Sequence, residues 1–385
     1  MKKIVALLLV VAMCACLFVG CGSGEEKADG GYKIALCNFS LGETWRYQML
    51  AEFQQAAETL KAEGVISEYY ETNAEGEASK QVADMQDLIA KGVDGILIAP
   101  VNATACNDVI SEAMAAGIKV VVFNSGCDPE FTDYTSYVYQ DNFDFGVINA
   151  QFVVDALGEE GGKVIALQGV AGNEINATRW AGAKSVFDQN PQIEIIAEAN
   201  GNWDYADGKA ATEALLSAYP EIDAVWSQGG AMTQGAIDAF VAAGRPLVPM
   251  SGESGNGFMA SWIKYQGVDN FSSCAPIYDC AMVVDAMDIL IKALNGEEVE
   301  KDIKLPMDQV TTETLEEHYR PDLPDSYWAG TRLTDDTERA PRGDIKAYTV
   351  DNLAVFNVGE AYVFKFHLAD TFFGNDRIFG LAHLG

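Results

Sequence analysis

Residues 91–100 read KGVDGILIAP and residues 116–124 read AGIKVVVFN. Each ends in an apolar run of strand length with no polar alternation. A strand with one wet face alternates, whereas a strand covered on both faces does not. Ahead of the first run, residues 78–90 carry Val82, Met85, Leu88 and Ile89 at helical spacing. Residues 104–116 read as a second helix, ended by Gly117. Strand, helix and strand follow one another over short connections, which points to a parallel sheet with helices on both faces.

The same beat extends in both directions. Residues 33–36 and 65–70 read as strands around a helix at 43–62, whose apolar positions include Tyr47, Leu50, Ala51 and Phe53. Residues 119–123 are a further buried strand. The alternation then restarts, with strands at 163–167, 193–198, 223–226 and 246–250 and helices at 176–189, 205–218 and 232–243. The expected fold class is α/β: two doubly wound parallel-sheet lobes joined by a multi-strand hinge. A long apolar helix at 279–294 has no strand series of its own, so it returns to the first lobe. The chain then crosses between lobes around 137–139, 271–274 and 305–312. Several crossings permit closure and restrict its direction. The expected partition is 32–140 plus 277–305 for the first lobe and 141–276 plus 306–335 for the second.

The beginning of the chain decides the compartment. Lys2 and Lys3 precede an apolar run at 4–19, and Gly20-Cys21 follows. This is the layout of a secretory signal, and the run is shorter than the ~20 residues a membrane-spanning helix needs. Residues 17–21 (LFVGC) resemble a bacterial lipoprotein box, with Phe18 where leucine is usual. Residues 1–20 are therefore expected to be a signal, Cys21 the lipidated residue and 21–31 a polar, glycine-rich tether. Cys16 is a rival, but apolar residues follow it.

The formal charge of −32 is spread along the chain, which disfavours nucleic acid as a partner. Of the eight cysteines, Cys37, Cys106, Cys127, Cys274 and Cys280 belong to the body. An odd set cannot be wholly paired, and no CxxC spacing occurs, so buried thiols with room for one disulfide are expected and no metal site. Residues 336–385 form an atypical tail with strand-like runs, read either as an added β element or as the product of a shifted reading frame.

In an open parallel sheet, ligands sit beyond the carboxyl ends of the strands. That rule selects Asn38, Phe39, Trp45 and Arg46 after the first strand and Asn124 after the fourth. In the second lobe it selects Arg179, Trp203, Gln228 and Glu253. Each lobe thus offers aromatic and guanidinium groups at the same edge. Sugar rings have apolar C–H faces and a hydroxyl rim, which such a set can cover and pair. Core packing is the competing reading for Trp45 and Trp203, and a solvated helix face the competing reading for Arg46.

Four stretches in order carry a family resemblance: the two quoted above, residues 163–172 (KVIALQGVAG) and residues 223–228 (DAVWSQ). Over about residues 33–332 the chain resembles the ribose-type, type I periplasmic binding proteins of bacterial ABC importers, which share their fold with the ligand domains of the LacI repressors. The resemblance implies stacking aromatics at Phe39, Trp45 and Trp203, a hydroxyl-binding arginine at Arg179 and a hinge pair at Asp141-Asn142, of which Asp141 is a ligand-binding candidate. It also shows departures. Asn124 and Ser125 replace an Asp-Arg pair, Gly229 replaces an asparagine, and the late acid is Glu253. These changes argue against ribose itself and for a larger or differently substituted ligand.

The expected function is capture of a small polar ligand, a monosaccharide or related sugar, by a lipid-anchored extracytoplasmic protein that serves an ABC permease as a monomer without cofactor. The alternative is a ligand-sensing subunit for a chemoreceptor or kinase, or a nucleoside or polyol as ligand. An enzyme has little support. Gly252-Glu-Ser-Gly-Asn256 lacks the last glycine of a nucleophile elbow, and no HExxH, P-loop or GxGxxG motif occurs. His318, His367 and His383 lie outside the two-lobe core. A repressor would need a DNA-binding segment where this chain carries a secretion signal.

Overall fold

The computed structural model describes residues 30–334 and, in the tail, the backbone of three strands. The signal, Cys21 and most of the tether and tail lie outside the described residues.

The first lobe runs β1 (Tyr32–Asn38), α1 (Thr44–Ala62), β2 (Ile66–Asn73), α2 (Ala78–Lys91), β3 (Gly95–Ile98), α3 (Asn107–Ala115), β4 (Lys119–Phe123) and β5 (Ser136–Tyr139). The second runs α4 (Asn142–Leu157), β6 (Gly162–Gln168), α5 (Glu174–Phe187), β7 (Ile193–Asn200), α6 (Tyr205–Ala218), β8 (Ala224–Ser227), α7 (Gly230–Ala242), β9 (Met250–Ser251), α8 (Asn256–Tyr265) and β10 (Ser273–Pro276). Then come α9 (Met282–Leu294), β11 (Asp302–Lys304), β12 (Gln309–Val310) and the short α10 (Leu315–His318).

The first sheet has the order β11-β5-β4-β3-β1-β2, and its strand pairs are all parallel. The second has the order β12-β10-β9-β8-β6-β7, parallel except for the antiparallel edge strand β12. The non-alternating runs explain this arrangement. Ile96, Leu97, Ile98, Val120, Val121 and Val122 are all fully buried, because helices cover both faces. Leu97 and Val121 join one core with α1 and α9, while Ile96, Ile98, Val120 and Val122 join the other with α2 and α3.

Helix α9 does return to the first lobe, where Met282, Val283, Met287 and Leu290 are buried in its core. The crossing expected at 271–274 falls later. Ser273–Pro276 is a strand of the second sheet, so the chain leaves that lobe only at Ile277–Asp279. The end of the chain differs from expectation as well. Residues 327–334, assigned above to the second lobe, reach back over α1. Trp328 belongs to the first-lobe core and the neighbouring Ala329 to the second.

Two glycines set the entrance of the second lobe. A Cβ on Gly146 would lie 1.9 Å from the Arg179 carbonyl oxygen, and one on Gly182 would lie 2.1 Å from that of Phe143. Helices α4 and α5 therefore touch backbone to backbone, which presses Arg179 against the start of α4. The tail strands Thr349–Val350, Leu353–Val358 and Ala361–Phe366 form an antiparallel sheet.

Candidate functional site

The carboxyl ends of β1 and β4 bring Asn38 and Asn124 side by side, and the first turn of α1 places Arg46 between them. Arg46 is buried; its Nη2 donates to Asn124 Oδ1 and its Nη1 to Asn38 Oδ1 over 3.5 Å. The guanidinium stacks 4.1 Å from the centre of the Phe39 ring. Glu43 stands one turn away, with Oε1 3.8 Å from Arg46 Nε. Burial lowers the Arg46 pKa to about 10, with Glu43 acting in the opposite direction. Burial pushes the Glu43 carboxyl up to about 7, held back by Arg46. Asn124 has φ +64°, a left-handed conformation that asparagine tolerates better than most residues.

The second half of the site is built on Arg179. Its Nε donates to Asn142 Oδ1 (3.0 Å), Nη1 to the Gln228 carbonyl (2.8 Å) and Nη2 to Glu253 Oε1 (3.3 Å). The guanidinium lies 3.6 Å from the centre of Phe145 and 4.6 Å from that of Tyr278. Burial raises the Glu253 pKa, and Arg179 opposes the rise. Asn176 Oδ1 accepts from Gly169 N and Gln228 Nε2, both at 2.8 Å, and so fixes the Gln228 amide.

Tyr278, in the second crossing, connects the halves. Its hydroxyl accepts from Asn124 Nδ2 (3.1 Å) and Asn142 Nδ2 (3.2 Å). A continuous relay runs from Arg46 through Asn124, Tyr278 and Asn142 to Arg179 and Glu253. Two arginines face two glutamates, so the site is formally neutral. Several buried polar atoms on its walls have no hydrogen-bond partner: Arg46 Nε, Trp203 Nε1 and Gln228 Oε1. Buried polar groups are rarely left unpaired, and these point to a polar molecule as partner.

Asn38, Phe39, Arg46 and Asn124 gather in the first lobe, and Arg179, Gln228 and Glu253 in the second. Trp203 completes the second wall. A Cβ on Gly169 would lie 2.1 Å from Trp203 Cε2, and one on Gly229 2.9 Å from Cδ1, so the indole lies on glycine backbone. The glycine at 229 makes room for this ring. Trp203 itself has φ +57°, a strained setting for a bulky residue.

Two selected residues have structural duties, although the Trp45 ring stays beside the site, its centre 5.0 Å from the Arg46 guanidinium. Trp45 is a core residue, 4% exposed, whose Nε1 donates to the Tyr278 carbonyl over 2.8 Å. Asp141 caps α4 by accepting from Phe143 N and Asp144 N, and it pairs with Lys304 Nζ at 2.8 Å. It lines a groove of about 590 Å³ behind the hinge, together with Lys304 and Met307. Position alone could not separate these roles, because strand ends serve packing, capping and binding alike.

Sequence reading missed Glu43, Phe145, Asn176 and Tyr278, and gave Asn142 only as part of the hinge pair. Asn142 stands beside the selected Asp141, and the polar i, i+3 pair Asn176/Arg179 on an apolar helix was a usable signal. Tyr278 gave none, since it lies in a crossing whose position was misplaced by a few residues.

The sequence profile of the periplasmic binding protein domain matches residues 34–298. The chain belongs to this family. The periplasmic binding protein described here is 28% identical over 235 residues to the ribose import binding protein of Bacillus subtilis (strain 168), covering 61% of this chain and 74% of that protein. It is 27% identical over 226 residues to the D-allose-binding periplasmic protein of Escherichia coli (strain K12), covering 57% of this chain and 72% of that one. Among solved structures, an ABC transporter solute binding protein from Thermobispora bispora matches with a TM-score of 0.71 and 27% identity, over 80% of this chain and 94% of that one. Another, from Actinobacillus succinogenes with bound D-allose, matches with a TM-score of 0.63 and 25% identity, over 74% and 99%.

Proposed function

We propose that this periplasmic binding protein captures an uncharged monosaccharide, or a closely related sugar, between its lobes and delivers it to an ABC importer. One observation carries the reading: the relay through Tyr278 joins two internally balanced Arg–Glu pairs. Balanced charge disfavours an ionic ligand, because any added charge would be buried without a counter-ion. Guanidinium, amide and hydroxyl groups suit hydroxyls, and Phe39 and Trp203 offer ring faces to the apolar side of a sugar. The relatives named for ribose and D-allose support the same class.

The protein works by binding and closure rather than by bond chemistry, as a solute-binding component. Gly20-Cys21 and the polar stretch after it support export followed by lipid attachment at Cys21, which would hold the protein outside the cytoplasmic membrane near a permease. Among the described residues, no helix is long and apolar enough to cross a membrane.

Titration calorimetry on the chain lacking residues 1–20 tests the reading, with D-ribose, D-allose, D-galactose and D-glucuronate as probes. A neutral sugar is expected to bind and the uronate to be rejected. Preference for the uronate, or no binding by a broad panel of neutral sugars, would overturn it.

A further inference from the structure

The segment 327–334 is held by both lobes in different ways. On the second lobe its anchor is backbone and deep. Asn256 N donates to the Tyr327 carbonyl (2.8 Å), Ala329 N donates to the Ser254 carbonyl (3.0 Å), and Trp328 forms an antiparallel bridge with Gly255. Asn256 Nδ2 also holds the carbonyls of Arg320 and Leu323 at 2.9 and 3.1 Å.

On the first lobe most polar contacts come from one face of α1, while Arg332 Nη2 donates to Asp285 Oδ1 on α9 (2.6 Å) and the Trp328 ring is buried in the core. Gln48, Glu52 and Gln55 stand at i, i+4 and i+7, one stripe of a helix. Gln48 pairs with both sides of one peptide residue: Trp328 N donates to its Oε1 (2.8 Å) and its Nε2 donates to the Trp328 carbonyl (2.9 Å). Glu52 Oε1 accepts from Arg332 N (3.0 Å) and from the Thr331 hydroxyl. Gln55 Nε2 donates to the Arg332 carbonyl (3.0 Å), and Thr334 N donates to Gln55 Oε1 (3.1 Å). Trp328 Nε1 adds a bond to Thr44 Oγ1 (2.9 Å), two residues before the sugar-facing Arg46.

We propose that residues 327–334 are a latch: a strap rooted in the second lobe that clasps α1 and restrains the lobes from opening. The asymmetry of its two attachments is the reason. The second-lobe root is part of that lobe's fold. The first-lobe clasp is made of side chains reading peptide groups, the Arg332–Asp285 ion pair and the Trp328 ring seated in the first-lobe core, so its release withdraws one indole from that core but breaks no strand or helix. Release exposes Glu52, which is 1% exposed in the clasp, and water then replaces its donors. The clasp also ends beside Thr44, so engaging it fixes the helix turn that presents Glu43 and Arg46.

The test needs no sugar, so its failure is separable from failure of the sugar reading. The lobe-to-lobe distance is measured by single-molecule fluorescence transfer on the full chain, with dyes at the exposed positions Glu63 and Glu213. Gln48→Ala and the milder Thr331→Val should each widen the distance distribution toward open forms. A second variant, Gln55→Cys with Thr334→Cys, should narrow it when oxidised and restore it when reduced, and this arm stands if a clasp variant fails to fold. An unchanged distribution in a folded clasp variant, or identical distributions for the oxidised and reduced pair, overturns the latch.

Discussion

Asn124 Nδ2 donates to the Tyr278 hydroxyl over 3.1 Å, which ties the end of the fourth strand to the second hinge crossing. Asn124 Oδ1 at the same time accepts from Arg46. The amide therefore has its orientation fixed from both sides, and a ligand hydroxyl near it meets a preset wall. Tyr278→Phe removes one oxygen and leaves the amide nitrogens of Asn124 and Asn142 short of an acceptor. Affinity for the bound sugar is expected to fall about tenfold, in line with ~1–3 kcal/mol for an unpaired buried polar group. A calorimetric double-mutant cycle with Asn124→Ala should show strong non-additivity.

Arg179 serves binding and stability together. It is 2% exposed and balances Glu253, which is 5% exposed. Arg179→Ala should weaken sugar binding by roughly ten- to a hundredfold, since hydrogen bonds to charged groups contribute ~1.5–3 kcal/mol. It should also destabilise the ligand-free protein by about 3–5 kcal/mol, because Glu253 is left buried and unpaired. Adding Glu253→Gln should recover much of the stability and none of the affinity. Denaturant unfolding beside calorimetry separates the two effects.

The indole of Trp203 depends on the glycines under it. Gly169→Ala puts a methyl 2.1 Å from the ring and must displace it. Its affinity loss should match that of Trp203→Ala, and the two changes should not add. Full affinity in Gly169→Ala would show that the ring position does not matter.

The pH dependence of stability has a defined sign at Glu52. Burial raises its pKa from 4.5 to about 7, against the donors Thr331 and Arg332 and with Asp279 adding to the rise. The folded protein thus holds this proton more tightly than the unfolded chain. The contribution is full below pH 4.5 and is lost as pH rises toward 7. Wild type should therefore lose stability relative to Glu52→Gln across that window, in thermal or urea unfolding followed at several pH values. A constant difference from pH 4 to pH 8 contradicts the assignment.

Cys21→Ser should release the protein from the membrane fraction when cells are fractionated and blotted. Retention of Cys21→Ser together with release of Cys16→Ser would move the anchor to Cys16.

Much of the fold was legible because burial on two faces leaves a direct mark. The runs 95–99 and 119–123 carry no alternation, and each is a central strand buried by helices on both sides. The return of α9 was legible for the same reason, since its apolar face had no other sheet to cover. One interior strand was harder. The second-lobe strand expected at 246–250 shrinks to Met250–Ser251, as Pro246 and Pro249 offer no ladder donors.

The sequence by itself determined the class of the molecule: two α/β lobes, a multiple hinge, and polar and aromatic side chains at the carboxyl edges of the strands. These follow from local periodicity and from the geometry of parallel sheets, which short stretches of chain encode. Only the tertiary structure decided which side chains share the cleft. Trp45 and Arg46 are neighbours in sequence, yet one enters the core and the other the site, because successive residues of a helix face directions about 100° apart. Tyr278 meets Asn124 and Asn142 from more than a hundred residues away, and α1 is clasped by a strap from the far end of the described fold. Contacts of that range depend on how the lobes sit together, and no local pattern records them.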